Sequence, residues 1–272
     1  MLRFPTNQRE MYLPLKRKLQ SITSRLPVII ALSILFVIWL ILSMSGMVPG
    51  YMLPSPIAVF KAFVEDFGLI LTHAKVTLSE AVLGLLIGIA LGVIMAILMD
   101  HFSLLDRAIY PVMVITQTIP TIALAPILVM WLGFGMAPKV TLVVITTFFP
   151  IAVGFLEGLK SVDGDSVNLM RSMNATDFQI FWHLKGPSAL PHFFSGLKIS
   201  ASYAVVGAVI SEWIGGFEGL GVYMTRVKKA YAFDRMFAVI IFIVLISLLL
   251  MQLVKMIRKL VVVGTDMNEV HI

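Results

Sequence analysis

Apolar residues in this chain come in long uninterrupted runs, and polar residues gather at the joints between them. A helix crossing the hydrocarbon core of a bilayer needs about 20 apolar residues. Runs of that length predict six spans, at roughly 27–46, 76–99, 112–134, 138–157, 194–215 and 236–256. The third lies in an uncharged stretch from Ala108 to Pro138 that holds Pro111, Pro120 and Pro126. That stretch is too short for two complete spans, so it predicts one span broken or kinked by proline. No charge occurs from Leu26 to Phe60, which is longer than the apolar region of a cleaved signal peptide. The first run is therefore read as an uncleaved span.

One joint departs from the pattern. Between the fourth and fifth runs, from about 158 to 193, the chain carries caps and polar faces of a kind found in soluble helices. Asp163 and Gly164 suit a turn, and Asp165 and Ser166 can cap a short helix running to Met173. Asn174 fits a left-handed helix stop. Thr176 followed by Gln179 is a capping-box spacing that starts a second short helix, which Gly186 and Pro187 are expected to end, with Pro191 opening the next span. That second helix has Phe178, Phe181 and Trp182 on one stripe and Asp177, Gln179 and His183 opposite. The stripe suits either a helix resting its aromatics on the bilayer surface or a knob that docks into a partner.

Composition agrees with the runs: 59% of residues are hydrophobic and only 13% charged, where soluble domains carry about a quarter. There is no cysteine, which excludes disulfides and thiolate metal sites. A net charge of +6 raises the possibility of nucleic acid, but no reading motif is present and the cations flank apolar runs. Six spans put both termini on one side. With the termini inside, 14 of the 21 cations fall inside, from the arm of Arg3, Arg9, Lys16, Arg17, Lys18 and Arg25 to Lys255, Arg258 and Lys259. The positive-inside rule favours that orientation, with Arg226, Lys228 and Lys229 as a discordant outer cluster. The expected organisation is a cytoplasmic basic arm over 1–26, a six-span domain over 27–258 and a cytoplasmic tail over 259–272.

Within the spans, Gly84, Gly88 and Gly92 recur every fourth residue, a smooth stripe for close helix packing or for a moving pore surface. Pro120 and Pro126 make either a pore-lining break or a structural kink. Gln117 and Thr118 can face a wet pathway or bond to their own helix backbone, and Tyr203 offers aromatic surface to a solute. Glu212 follows 13 uncharged residues and adjoins Trp213 and Gly215-Gly216. It is read as an acid at the outer interface, the alternative being an intramembrane functional acid.

The capped loop resembles the inner-membrane permeases of binding-protein-dependent ABC importers. Their pattern is Glu-Ala-Ala, three residues, Gly, nine residues, Ile, one residue, Leu-Pro. With Asn174 in the Gly place, Asn168, Leu169 and Met170 fall on Glu-Ala-Ala, Leu184 on Ile and Gly186-Pro187 on Leu-Pro. The stretches "YMLPSPIAVFKAF", "IPTIALAPILVMWLGFGMAPK" and "GAVISEWIGGFEGLGVYM" extend the likeness over nearly the whole chain. They are similar to the branch importing sulfonates, taurine, nitrate and thiamine-precursor pyrimidines, and "SYAVVGAVISEWIGG" and "TQTIPTIALAP" resemble the last most, with sulfonate importers the nearest alternative.

The resemblance implies an all-α type I importer permease in a bacterial cell membrane, working as a homodimer. Two ATPase subunits carrying ATP and Mg²⁺ would dock on a coupling helix formed by Asn168 to Pro187, including Ala175, and an extracytoplasmic binding protein would deliver the solute. The chain itself is expected to bind no cofactor or metal and to catalyse nothing. It has no P-loop, since no Gly-Lys dipeptide occurs in it. A secondary carrier would rely on Glu80, Glu157 and Glu212, all near proposed span ends, and an intramembrane enzyme would need a His-Glu-x-x-His or Gly-x-Ser-x-Gly motif that is missing.

Overall fold

The computed structural model describes the backbone of residues 7–262 and the side chains of residues 26–262. The side chains of the basic arm's cations and the tail from residue 263 lie outside what the structure describes. The described chain is all helix and turn: α1 (Asn7–Met44), α2 (Pro56–Glu65), α3 (Phe67–His101), α4 (Ser103–Thr116), α5 (Thr121–Leu132), α6 (Met136–Lys160), α7 (Gly164–Ser172), α8 (Asp177–Ile180), α9 (Gly186–Gly215), α10 (Leu220–Lys229) and α11 (Phe233–Val261). Five helices are long and apolar enough to span a bilayer, and α4 with α5, bent by 100° at the residues between them, count as a sixth when the pair is taken as one span. Proline causes the break. Pro120 has no N–H to donate and stands as the N-cap of α5, while Thr118 turns its hydroxyl back onto the Ile115 carbonyl at 2.7 Å.

α6 lies at the centre, packed along α3 on one side and α9 on the other. Both contacts depend on small residues. A side-chain carbon at Gly84 would sit 2.5 Å from Val143, and one at Gly92 would sit 2.9 Å from Ile151, while Gly88 meets Thr147. The glycine stripe is therefore a packing seam against α6. On the other side, a carbon at Gly158 would stand 2.7 Å from the Ala189 backbone, and Gly154 and Gly196 face each other across the same seam. Close backbones let dispersion replace the hydrophobic drive that lipid cannot supply.

The helices outrun the charge-free windows, so the expected boundaries need correction. α3 begins at Phe67 rather than near 76, and α9 begins at Gly186 rather than near 194. Polar residues inside these helices, such as His73, Thr77 and Glu80, are buried against partners from other helices, and charge therefore does not mark the end of the span. α1 stands apart: Trp39 stacks on Phe237 of α11 and donates to the Pro54 carbonyl at 3.0 Å, but none of its apolar window is buried within this chain.

Candidate functional site: a polar groove and a capped loop

The pairing of α6 with α9 leaves an open groove of about 410 Å³. Its walls are Phe149, Pro150, Val153 and Gly154 of α6 with Gly196 and Ile199 of α9, and its polar groups are Gln117, Glu157, His192, Ser195 and Tyr203. Each helix contributes one face, with positions 150, 153, 154 and 157 on α6 and 192, 195, 199 and 203 on α9. Gln117 reaches it from the break between α4 and α5. Polar side chains on this face of a membrane helix pair are costly against lipid, so the face belongs to water or to protein. Ser195 bonds the Pro191 carbonyl at 2.9 Å, while the other four polar side chains make no hydrogen bond to the described residues. No Lys or Arg lines the groove.

Of the residues that the sequence suggested for a pathway, Gln117 and Tyr203 come together here. Thr118 and Pro120 do not, because the first bonds its own helix and the second caps α5. Glu157, which the sequence offered only as an acid near a span end, joins Gln117 and Tyr203, as do His192 and Ser195, which went unnoticed there. Their signal was the helical spacing of polar residues inside otherwise apolar runs.

At one end of the six spans sits the capped loop. Asp163, not Asp165 or Ser166, caps α7, accepting from the Asp165 N–H at 3.4 Å. Asn174 has φ of 59°, and beyond it the Ala175 N–H returns to the Met170 carbonyl at 3.0 Å, closing α7 with a left-handed stop. The capping box is formed: the Thr176 N–H donates to Gln179 Oε1 at 2.8 Å, and the Gln179 N–H to Thr176 Oγ1 at 3.3 Å. Asn174→Gly is expected to preserve expression and thermal stability, whereas Asn174→Val is expected to lower the melting temperature. A β-branched residue is strained at positive φ. Equal melting temperatures would place the turn elsewhere.

Two expectations for this loop are corrected. Gly186 and Pro187 do not end the second helix, and Pro191 lies inside α9 rather than opening it. The chain passes through a wide turn over Phe181–Lys185, in which the Gly186 N–H reaches the Phe181 carbonyl, and continues into α9. Glycine lets this turn close, since a side-chain carbon at 186 would stand 3.0 Å from that oxygen, and Pro187 sits in the first turn, where a missing N–H is tolerated. The aromatic stripe is also split. Phe181 packs against the core beneath α4 and α6, and the neighbouring Ile180 is 3% exposed. Phe178 and Trp182 are 73% and 64% exposed and stack at 6.3 Å. Leu169 and Met173 add exposed apolar surface to the same loop, and Leu184 is half-buried beneath it. Asn168 is exposed and accepts from the Ser172 hydroxyl at 2.9 Å. Ion pairs brace the ends: Lys185 to Asp100 at 2.8 Å and Lys160 to Asp106 at 2.7 Å.

At the opposite end Glu212, expected at the outer end of its span, stands one turn before the end of α9 inside a buried polar knot. Glu212 is 1% exposed; its carboxylate accepts from Thr77 Oγ1 and from the Gly221 N–H, both at 2.6 Å. The Leu220 N–H donates to Thr77 Oγ1 at 2.8 Å and the Gly219 N–H to His73 Nδ1 at 3.0 Å. Side chains of α3 and α9 thus satisfy the otherwise orphaned N–H groups that open α10, and the carboxylate meets the positive end of that helix. Gly219, at φ of 121°, leaves room for the Glu212 carboxylate, which any side chain there would overlap. Beside it, Lys139 donates to Glu80 at 2.6 Å in a pair absent from the sequence reading. Further out, Asp66 accepts from the Tyr223 hydroxyl and pairs with Arg235 at 3.3 Å. Burial and the Asp66 carboxylate push the Tyr223 hydroxyl up from its ordinary range, so it stays a neutral donor.

A six-span helical domain with a capped loop at one end and a polar groove between central helices is the arrangement of a transport subunit. The family of binding-protein-dependent transport system inner membrane components matches residues 88–263. The chain belongs to this family. It is a multi-pass inner-membrane permease of the ABC importer kind, a transport component whose ATPase is a separate subunit. The permease is 38% identical over 229 residues to the formylaminopyrimidine transport permease protein ThiX of Halalkalibacterium halodurans, covering 83% of this chain and 90% of that one. It is 36% identical over 222 residues to a "Probable ABC transporter permease protein" of Haemophilus influenzae, covering 82% and 91%. It is also 26% identical over 226 residues to the taurine transport system permease protein TauC of Escherichia coli, covering 80% and 82%. Among solved structures the permease is similar in fold to the inward-facing MetNI methionine ABC transporter, with a TM-score of 0.64 at 19% identity, covering 72% of this chain and 97% of that chain.

Proposed function

We propose that two copies of this permease enclose a solute path between their α6–α9 faces, with both termini and the capped loop in the cytoplasm. Two ATPase subunits, which carry ATP and Mg²⁺, dock on that loop, and an extracytoplasmic binding protein delivers the solute. The bias of cations toward the termini side supports the orientation. The exposed Phe178–Trp182 pair supports a docked partner. The unpartnered polar groove supports a second copy facing the first across water.

The solute we propose is a neutral thiamine-precursor pyrimidine of the hydroxymethylpyrimidine kind. The observation that carries this choice is the groove itself, which offers a carboxylate and an aromatic wall but no cation. A sulfonate, with its fixed negative charge, would lose hydration there and meet the Glu157 carboxylate without a compensating Lys or Arg. A flat neutral ring finds hydrogen-bond partners in Gln117 and Tyr203 and stacking surface in Phe149. The similarity to ThiX points the same way.

Deleting the gene in a strain unable to make the pyrimidine is expected to abolish growth on supplied formylaminopyrimidine while leaving use of taurine as a sulfur source intact. Retained growth on the pyrimidine with lost use of taurine would reverse the choice.

A further inference from the structure

The acids of the central spans are almost all committed. In α3, Glu80 pairs with Lys139 and Asp100 with Lys185; in α4, Asp106 pairs with Lys160; in α9, Glu212 is held by Thr77 and the Gly221 N–H. Glu157 of α6 is the exception, with no hydrogen bond or ion pair to any described residue. It is exposed and lines the groove, although Lys160, one turn away on the same helix, is engaged with Asp106. A nearby cation is thus held away from the one carboxylate of these four helices that has no partner among the described residues.

We infer that the permease itself selects its solute, and that Glu157 is the acceptor for an amino or ring N–H group of a planar heteroaromatic ligand seated in the α6–α9 groove. This inference rests on the import function proposed above. The groove has the required chemistry on its other walls. Gln117 carries both an acceptor and a donor, Tyr203 a hydroxyl and His192 a ring nitrogen, all without partners in the described chain, and Phe149 and Ile199 supply apolar surface. A charged acceptor opposite an N–H donor makes a stronger hydrogen bond than a neutral one, and it discriminates because an anion of similar size meets repulsion in the same place. Selectivity would then be applied twice, once by the delivering protein and once inside the membrane.

The test uses the permease–ATPase complex in nanodiscs without the binding protein, with radiolabelled formylaminopyrimidine and taurine as probes. The wild-type complex is expected to retain the pyrimidine saturably and taurine not at all. Glu157→Ala is expected to weaken pyrimidine binding about tenfold, the loss of one charge-assisted hydrogen bond. Glu157→Gln, which keeps the shape and one acceptor, is expected to fall between the two, and co-purification of the ATPase reports that each variant is folded. Equal affinity in wild type and both variants would overturn the inference. So would absence of pyrimidine binding in wild type when the complete transporter, with its binding protein, imports that pyrimidine. Import of taurine and not pyrimidine by the complete wild-type transporter would refute the proposed solute and this inference together, a result read without any variant.

Discussion

Replacing Phe178 and Trp182 together with Ala is expected to release the ATPase from the permease and abolish transport while the permease still inserts and folds. The two rings are stacked and mostly exposed, Phe178 on the short α8 and Trp182 in the wide turn that follows it. What holds that helix out is local. Thr176 and Gln179 close its first turn, Ile180 and Phe181 root it in the core, and Lys185 ties its end to Asp100. A rigid stub presenting a large aromatic pair has the properties of an interface hot spot, where each ring contributes on the order of 2 kcal/mol. Losing both would weaken association by roughly a thousandfold. Phe181→Ala should behave differently, lowering the stability of the permease, because that ring belongs to its own core. Normal co-purification of the ATPase with the double variant would mean that the rings rest on lipid headgroups instead.

The second large effect is expected at the buried knot. The Lys139 and Glu80 side chains are 6% and 2% exposed and meet at 2.6 Å. Lys139→Met would leave the Glu80 carboxylate buried beside that of Glu212 with no cation, and breaking one partner of a buried pair typically costs about 3–5 kcal/mol. For a chain of this size that is a fall in melting temperature of about 10 °C. The double variant Glu80→Leu with Lys139→Met removes both charges and should recover most of the loss, since apolar residues of similar volume often replace a buried pair without penalty. Thermal unfolding of the purified variants in detergent checks this. A double variant no more stable than the single one would show that the pair is not what the knot depends on.

Features with short-range causes were legible in the sequence. Six spans follow from run length, the glycine seam from a four-residue repeat, and the Asn174 stop and the Thr176–Gln179 box from local hydrogen-bond chemistry. Features that depend on distant partners were not. Glu80 and Lys139 belong to different helices, and each alone looks like the edge of a span. Glu212 next to Trp213 gave no sign of its burial, because nothing in its own run reveals that Thr77 and the Gly219–Gly221 turn fold over it. Gly186-Pro187 looked like a stop because a wide turn that carries the helix onward has no periodic signature. Part of the groove was visible in Gln117 and Tyr203, but Glu157, His192 and Ser195 come together only when α6 and α9 are laid side by side.

This permease is expected to move solute only when a separate ATPase drives it. Purified permease is reconstituted in liposomes, alone or with its ATPase and binding protein, and labelled formylaminopyrimidine is followed with ATP or a proton gradient as the energy source. Concentrative uptake is expected only when the ATPase, the binding protein and hydrolysable ATP are all present, and uptake by the permease alone should not exceed that of empty liposomes. Robust uptake driven by a proton gradient through the isolated permease would make it a secondary carrier instead.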